Sequence, residues 1–356
     1  MDKTVFDLYT DYLLCSFGSV TATGLSDLVD GAVSHDQITR WLASEEKRSA
    51  HLWQKVKPLV RQVQQPDGVI IIDDSVAEKP YTDENELICW HWDHAKGRNV
   101  KGLNFVSAVY HVPGITLPVA FDLVTKTETY YDAKARQEKR RSALSKNARF
   151  RTLVQACVHN QIPFAYVLAD LWFASADNLK FVVQVAKKHF VMPLKSNRKV
   201  ALSQTDQRHA RYTIVDKLAL TPGDTCQIWV EDVPFALLLT KEVFINKDGS
   251  TGERYLVTDD LTLSAAQMTK LYQKRWAVEV YHEALKQNAS LEKSPTRTPT
   301  TQRNHLFASL CAYIKLESVK LKTGVNPFAL KSKIYAAALK TAYQELVNLA
   351  PVSLGA

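Results

Sequence analysis

The stretch "VIIIDDS", residues 69–75, decides the fold of this chain. Four consecutive β-branched residues are typical of a strand that is buried on both faces, as in the middle of a parallel sheet. The turn Pro66-Asp67-Gly68 precedes the run, and Asp73 and Asp74 follow it. Burying a carboxylate is costly unless a cation or a metal ion pairs with it. The acidic end of this strand therefore indicates either a turn cap or a functional site.

The segments that follow predict an α/β fold. Strand-like stretches at 103–112 and 116–124 precede a helix, and two more, at 164–170 and 190–194, flank a second helix. The third of these strands ends on Asp170. Because α/β sheets place ligands at the carboxyl ends of their parallel strands, we expect Asp74 and Asp170 to face one space if their strands are neighbours.

The segment "LYQKRWAVEVYHEALKQN", residues 271–288, contains no Gly or Pro and predicts one continuous helix. A capping box at Ser264 and Gln267 marks the helix start. At 100° per residue, four polar side chains fall within an arc of about 60° on one side of it. They are Tyr272, Arg275, Glu279 and Lys286.

A carboxylate on this helix can join the two strand-end aspartates. Three hard oxygen ligands with few soft ones suit Mg²⁺ or Mn²⁺ better than zinc. Two such ions, roughly 3.5–4 Å apart, can activate a nucleophile and stabilise the leaving oxygen of a phosphodiester. The residues alone therefore favour metal-dependent phosphodiester chemistry.

The composition favours a soluble protein with a polyanionic partner. The 356 residues include 45 Lys and Arg against 37 Asp and Glu, which gives a net charge of +8. A basic balance of this kind indicates nucleic acid or an acidic membrane surface. The five cysteines form no C-x-x-C pair, so we expect no zinc ribbon or disulfide framework. No apolar run approaches the ~20 residues that span a bilayer, and we expect a cytoplasmic protein.

The N-terminal region predicts helices. Ser34 and Gln37 form another capping box, and the helix that follows carries Arg40. A helix, a turn with Gly31 and a second helix outline a helix-turn-helix that would bind DNA, with Arg40 as a contact. An ordinary helical hairpin has the same outline.

At this point a family resemblance appears. The spacing Tyr272-x2-Arg275-x3-Glu279-x6-Lys286 resembles the signature of a large group of bacterial insertion-sequence transposases of the DDE type. The stretches "IIDDS" and "YVLADLWFAS" resemble the two aspartate strands of that group, over residues 66 to 290 in all. The resemblance implies a ribonuclease-H-like core that is interrupted by a β-rich insertion.

The resemblance also implies a chemistry. The protein would be a transposase that uses two Mg²⁺ ions, for which Mn²⁺ can substitute, to cleave the ends of a mobile element and join them to target DNA. It would act as a homodimer on inverted repeats of double-stranded DNA, associated with the nucleoid when bound. The implied metal ligands and catalytic residues are Asp74, Asp170 and Glu279. The implied DNA contacts are Tyr272, Arg275, Lys286 and Trp276.

Two assignments stay open at this stage. Strand alternation sends Asp73 and Asp74 to opposite sides, and Asp74 is preferred because the relatives place the ligand directly before a hydroxyl residue, here Ser75. Glu283 also lies on the polar face of the helix, and Glu279 is preferred by its spacing from Arg275.

A basic segment between strands offers further DNA contacts. Lys96, Arg98 and Lys101 lie in "CWHWDHAKGRNVKG", which could grip DNA or form a solvated hairpin.

The predicted domain order starts with a helical N-terminal domain. The boundaries are 1–65 for that domain, 66–198 for the first part of the core, 199–258 for the insertion, 259–295 for the catalytic helix and 296–356 for a helical C-terminal region. Two rival functions remain: a structure-specific DNA nuclease on the same core, and a non-catalytic DNA-binding protein derived from a transposase.

Overall fold

The computed structural model describes residues 3–93, 96–133, 136–246 and 248–348. The chain forms two compact units. The helical unit comprises Met1–Glu46 with Glu283–Ala356, and the sheet unit comprises Lys47–His282.

The helices are, in chain order, α1 (Lys3–Cys15), α2 (Ala22–Leu28), α3 (His35–Leu42), α4 (Ser49–Val63), α5 (Lys146–His159), α6 (Ala176–Lys180), α7 (Gln204–Arg208), α8 (Ala265–Gln273), α9 (Trp276–Gln287), α10 (Pro299–Thr323) and α11 (Pro327–Asn348). The strands are β1 (Val69–Glu78), β2 (Ile88–Asp93), β3 (Arg98–Val112), β4 (Ile115–Leu123), β5 (Glu128–Asp132), β6 (Gln137–Arg141), β7 (Tyr166–Ala169), β8 (His189–Leu194), β9 (Lys199–Ala201), β10 (Thr213–Ile214), β11 (Thr225–Val230), β12 (Leu237–Ile245) and β13 (Thr251–Thr258).

The centre of the sheet unit is the strand order β4-β3-β1-β7-β8. β1 pairs antiparallel with β3 and parallel with β7, and β7 pairs parallel with β8. Helices connect the parallel strands, so the core is an α/β sheet of the ribonuclease-H type, as predicted. The run from Val69 to Ile72 is completely buried, which explains why its residues are all apolar.

The β-rich segment extends this sheet. β13 pairs antiparallel with β8, with Tyr255 opposite Leu194, and β12 and β11 follow outward. The predicted strands therefore form, and they continue the same sheet beyond β8.

Three local features differ from the sequence predictions. β1 runs on past the two aspartates to Glu78, paired with β3 throughout. β5 and β6 form a hairpin between β4 and α5 that the sequence does not predict. The single helix predicted over 271–288 is wrong, because α8 ends at Gln273 and α9 begins at Trp276.

The helix break has a clear hydrogen-bond signature. Arg275 N–H donates to the carbonyl of Tyr272 at 2.9 Å, and Val278 N–H donates to that of Arg275 at 3.0 Å. These are bonds to the third residue back, which tighten the backbone as in a 3₁₀ turn. The angular spacing of an α-helix therefore does not carry across residues 274 and 275.

The helical unit packs α1 against α3 and α10. Phe6 contacts Trp41 and Phe307, and the Tyr9 hydroxyl lies 2.9 Å from Nδ1 of His305 in the buried centre. The capping box predicted at Ser34 is confirmed.

The first unit boundary lies between residues 46 and 47, so α4 belongs to the sheet unit and packs against β4. The sequence prediction places this helix in the N-terminal domain, residues 1–65. Among the described residues, no helix is long and apolar enough to cross a membrane.

Candidate active site

The two aspartates of β1 lie where the parallel ladder ends. The last pair between β1 and β7 is Ile72 opposite Ala169, so Asp73 and Asp170 are the next residues on the two strands. Both strands point the same way, and their carboxyl ends therefore meet at one edge of the sheet. This is the edge at which α/β sheets place their ligands.

Helix α9 covers the Asp73 side of the sheet. Ser107 on β3 is the strand partner of Asp73, and its hydroxyl lies 3.2 Å from the buried hydroxyl of Tyr281. Val278 and Tyr281 are fully buried, as predicted for the apolar side of this helix. This packing holds Glu279 near the strand.

A group of ligand atoms gathers around Asp73. Oxygens of Asp73 and Glu279 and a ring nitrogen of His282 all lie within 4.8 Å of one another. The Arg275 guanidinium lies 3.4 Å from the Asp73 carboxylate and 3.1 Å from that of Glu279. The Asp73 side chain is only 13% exposed, so these charges interact with little solvent between them.

The surroundings of these carboxylates disfavour the ionised form of Asp73 and of Asp170. Burial raises the pKa of Asp73 well above its ordinary value, the charges of Asp170 and Asp74 raise it further, and Arg275 opposes the shift. Burial also raises the pKa of Asp170, whose carboxylate accepts a hydrogen bond from the Trp172 backbone N–H at 2.9 Å. Crowded carboxylates of this kind are neutralised either by a proton or by a cation.

The residues present fit a divalent cation. Asp73 and Glu279 offer hard oxygen donors within reach of one ion, and Asp170 ends the neighbouring strand. Carboxylates are the ligands that Mg²⁺ and Mn²⁺ prefer, and a metal charge would offset both the burial and the repulsion that raise the pKa of Asp73.

Asp74, the ligand preferred from the sequence, has a different environment. Its carboxylate accepts hydrogen bonds from Nδ2 of Asn104 at 3.0 Å and from Nζ of Lys146 at 2.6 Å. It is not a member of the group that contains Asp73 and Glu279. The structure thus brings Asp73 to Glu279, because alternation along β1 turns the two aspartates to opposite faces.

Tyr272 lies beneath two guanidinium groups. Its side chain is 5% exposed, and the Arg254 and Arg275 guanidinium carbons lie 4.7 and 5.7 Å from its ring centroid. Burial raises the pKa of its phenol to about 12. Tyr272 is therefore buried beside two cations, and its predicted contact with DNA stays a prediction.

The other predicted DNA contacts lie elsewhere in the two units. In the sheet unit, Trp276 is 66% exposed at the start of α9. Lys96 forms an ion pair with Glu78. On β3, Arg98 is exposed and Lys101 is partly buried. In the helical unit, Lys286 pairs with Glu292 at 3.4 Å, and the exposed Arg40 donates from Nε to the carbonyl of Asp36 at 3.3 Å. Glu283, the alternative to Glu279, belongs to the helical unit and accepts a hydrogen bond from Gln287.

Two residues near the carboxylates are not among the sequence predictions. His282 follows Glu279 by three residues, and this Glu-x-x-His spacing places a carboxylate and an imidazole on one helix face. Lys146 is the first residue of α5, and only the fold brings it to Asp74.

Comparison with known families decides the wider class. Residues 2–214 match the model of a family described as DDE superfamily endonuclease. The chain belongs to this family. The matched segment of this DDE endonuclease contains both β1 aspartates and Asp170, whereas Glu279 lies beyond it. No curated protein matches the chain.

Membership in the DDE endonucleases supports a nuclease-type enzyme with DNA as its substrate, in a family that generally uses divalent metals. The acidic group around Asp73 provides a place for such a metal in this chain.

Proposed function

We propose that this protein is a DNA transposase that cleaves the ends of an insertion sequence and joins them to target DNA. The observation that carries the proposal is the position of Arg275 and Glu279 beside Asp73, at the strand ends where Asp170 also lies. A DDE endonuclease family match and a net charge of +8 support a DNA substrate.

We assign the metal-holding role to Asp73, Asp170 and Glu279. Asp73 replaces Asp74 in this assignment because it shares a ligand group with Glu279, whereas Asp74 is engaged by Lys146 and Asn104. Two bound Mg²⁺ or Mn²⁺ ions would activate the attacking oxygen and stabilise the leaving one.

The side chains around the carboxylates would orient the DNA. Arg275 can offer one edge of its guanidinium to a phosphate while it still contacts Glu279, since a guanidinium has five donors. Tyr272 lies under Arg254 and Arg275 and would hold these two cations in place through its ring.

The remaining predicted DNA contacts stay part of the proposal, each within its own unit. Trp276, Arg98 and Lys101 on the sheet unit, and Lys286 and Arg40 on the helical unit, are the candidates for phosphate or base contacts. Lys96 would first have to exchange its Glu78 partner for a phosphate. A homodimer bound to two inverted ends is part of the proposal.

The test is a plasmid assay that separates cutting from joining. The full-length protein is incubated with Mg²⁺ and a plasmid that carries its own coding segment with the natural flanks. The proposal predicts cuts at the two flanks and joined products in a second plasmid. Nicked or linear DNA without joined products would identify a nuclease on the same core, and binding without cleavage would identify a non-catalytic DNA-binding protein.

A second assay tests the residue assignment. We expect Asp170→Asn and Glu279→Gln to abolish cleavage while flank binding is retained. Cleavage by either purified variant in Mg²⁺ would remove that residue from the metal site.

A further inference from the structure

An exposed tryptophan adjoins the proposed metal site. Trp172 lies in the short 3₁₀ segment that follows β7, and its side chain is 56% exposed. Its backbone N–H donates to Oδ1 of Asp170 at 2.9 Å, which fixes the start of this segment against the proposed metal ligand. This hydrogen bond fixes the backbone of Trp172 beside Asp170, so the exposed indole adjoins the proposed metal site.

A cation accompanies the indole. Lys195 follows β8, the parallel neighbour of β7, and its ammonium lies 4.9 Å from the centroid of the Trp172 ring. Lys195 is exposed, and within the described ranges no carboxylate lies within ion-pair distance of it. An aromatic face and a cation thus stand together at the carboxyl ends of adjacent parallel strands.

This pair matches the chemistry of a nucleotide. Any of the nucleobases can stack on an aromatic ring, because every base has a flat π-face. A neighbouring ammonium can contact the phosphate of the stacked nucleotide. Single exposed aromatic side chains are common on proteins and need no ligand. Trp172 differs because Asp170 and Lys195 position it beside the residues that would hold the scissile phosphate.

We propose that Trp172 stacks on an unpaired nucleobase next to the scissile phosphate, and that Lys195 contacts the phosphate of the same nucleotide. The inference rests on the proposed function, because it takes DNA as the substrate of this site. It assigns substrate positioning to two residues that lie outside the Tyr-Arg-Glu-Lys signature.

The test measures DNA binding without metal, so that it does not depend on cleavage. Full-length protein in EDTA is titrated with a short oligothymidylate and with an oligomer of equal length that has abasic sugars. We expect Trp172→Ala to weaken binding of the first roughly ten-fold, the size of one lost base–aromatic stack, and to leave binding of the second unchanged. Trp172→Phe should restore most of the preference for the oligomer with bases.

Lys195→Gln provides the complementary measurement. This variant should weaken binding of both oligomers alike and reduce the salt slope by about 0.7, as expected for one phosphate contact to a single strand. Tyr81→Ala is the matched control, since Tyr81 is a 97% exposed aromatic residue and should change neither titration.

The outcomes separate this inference from the proposed function. Trp172→Ala retains the backbone N–H that Asp170 accepts, so its metal site should remain intact, and near-ultraviolet circular dichroism checks its folding. Equal loss for both oligomers, or no loss for either, overturns the stacking assignment. If Trp172→Ala misfolds, Trp172→Leu takes its place in the same two titrations, and an unchanged preference of that variant for the oligomer with bases overturns the stacking assignment. An unchanged salt slope in Lys195→Gln overturns the phosphate contact. A wild-type protein that stacks bases but cleaves no plasmid overturns the proposed function alone.

Discussion

The adjacent carboxylates of Asp73 and Asp74 lie on opposite faces of β1 and have different electrostatic surroundings. On one face, Asp74 has a local cation and an amide donor, with Lys146 Nζ at 2.6 Å and Asn104 Nδ2 at 3.0 Å. On the other, burial and neighbouring carboxylates raise the pKa of Asp73 well above its ordinary value, and one guanidinium is shared between Asp73 and Glu279.

The difference separates a structural carboxylate from a candidate functional one. A carboxylate whose neighbours already satisfy it gains little from a metal ion. A carboxylate crowded by like charges is poised to exchange its proton for a divalent cation, which is typical of functional sites. We therefore propose that the Asp73 face binds the metal and that the Asp74 face supports it.

The largest expected difference is in cleavage. Asp73→Asn should reduce the cleavage rate about a thousand-fold or more, since a ligand of the reacting metal stabilises charge in the transition state. Asp74→Asn should reduce it only roughly ten-fold, the effect of disturbing a supporting residue. Single-turnover cleavage rates of the two isosteric variants measure this directly, and equal losses would break the comparison.

Metal-dependent stability should follow the same division. At about one hundred times the dissociation constant, Mg²⁺ should stabilise the wild type by roughly 2.7 kcal/mol. Asp74→Asn should keep most of this gain and Asp73→Asn should lose it. Thermal unfolding with and without Mg²⁺ gives the values, with Ca²⁺ as a second hard cation. A full Mg²⁺ gain in Asp73→Asn would contradict the assignment.

The pH dependence of the metal-free protein tests the charge crowding. The folded state raises the pKa of Asp73 above its ordinary 3.8, so the folded protein binds this proton more tightly than the unfolded chain does. Stability should therefore fall as the pH rises from that value through the raised pKa, with a slope of up to about 1.4 kcal/mol per pH unit from this group.

Asp73→Asn removes this contribution and serves as the control. The difference in unfolding free energy between the wild type and this variant should change with pH in the direction stated. A difference that stays constant between mildly acidic and neutral pH would show that Asp73 ionises normally.

The smallest expected effect concerns Lys146. Its side chain is 44% exposed, so solvent weakens its ion pair with Asp74. Lys146→Met should cost at most about 1 kcal/mol of stability, and it should leave the Mg²⁺ gain intact. Chemical denaturation measures the first quantity, and a loss of the Mg²⁺ gain would tie the Asp74 face to the metal.

The sheet could be predicted from the sequence because its signal is local. Val69 to Ile72 is a continuous apolar run, and a strand that is buried on both faces requires one. Capping boxes at Ser34 and Ser264 also form as predicted, since each depends on residues three positions apart.

The site was harder to predict because it depends on tertiary packing. Alternation separates Asp73 from Asp74, but only the docking of α9 over Ser107 decides which side faces Glu279. The break at Lys274 and Arg275 contains neither Gly nor Pro, the residues that usually interrupt a helix, so the sequence does not predict it. The burial of Tyr272 beside Arg254 likewise depends on tertiary packing.

The central claim is that Asp73, and not Asp74, holds the metal. Titration of Mn²⁺ into the wild type, Asp73→Asn and Asp74→Asn, followed by electron paramagnetic resonance of the free ion, tests it without DNA. The account predicts that the wild type and Asp74→Asn remove Mn²⁺ from solution with similar affinity and that Asp73→Asn does not. Binding retained by Asp73→Asn and lost by Asp74→Asn would contradict it.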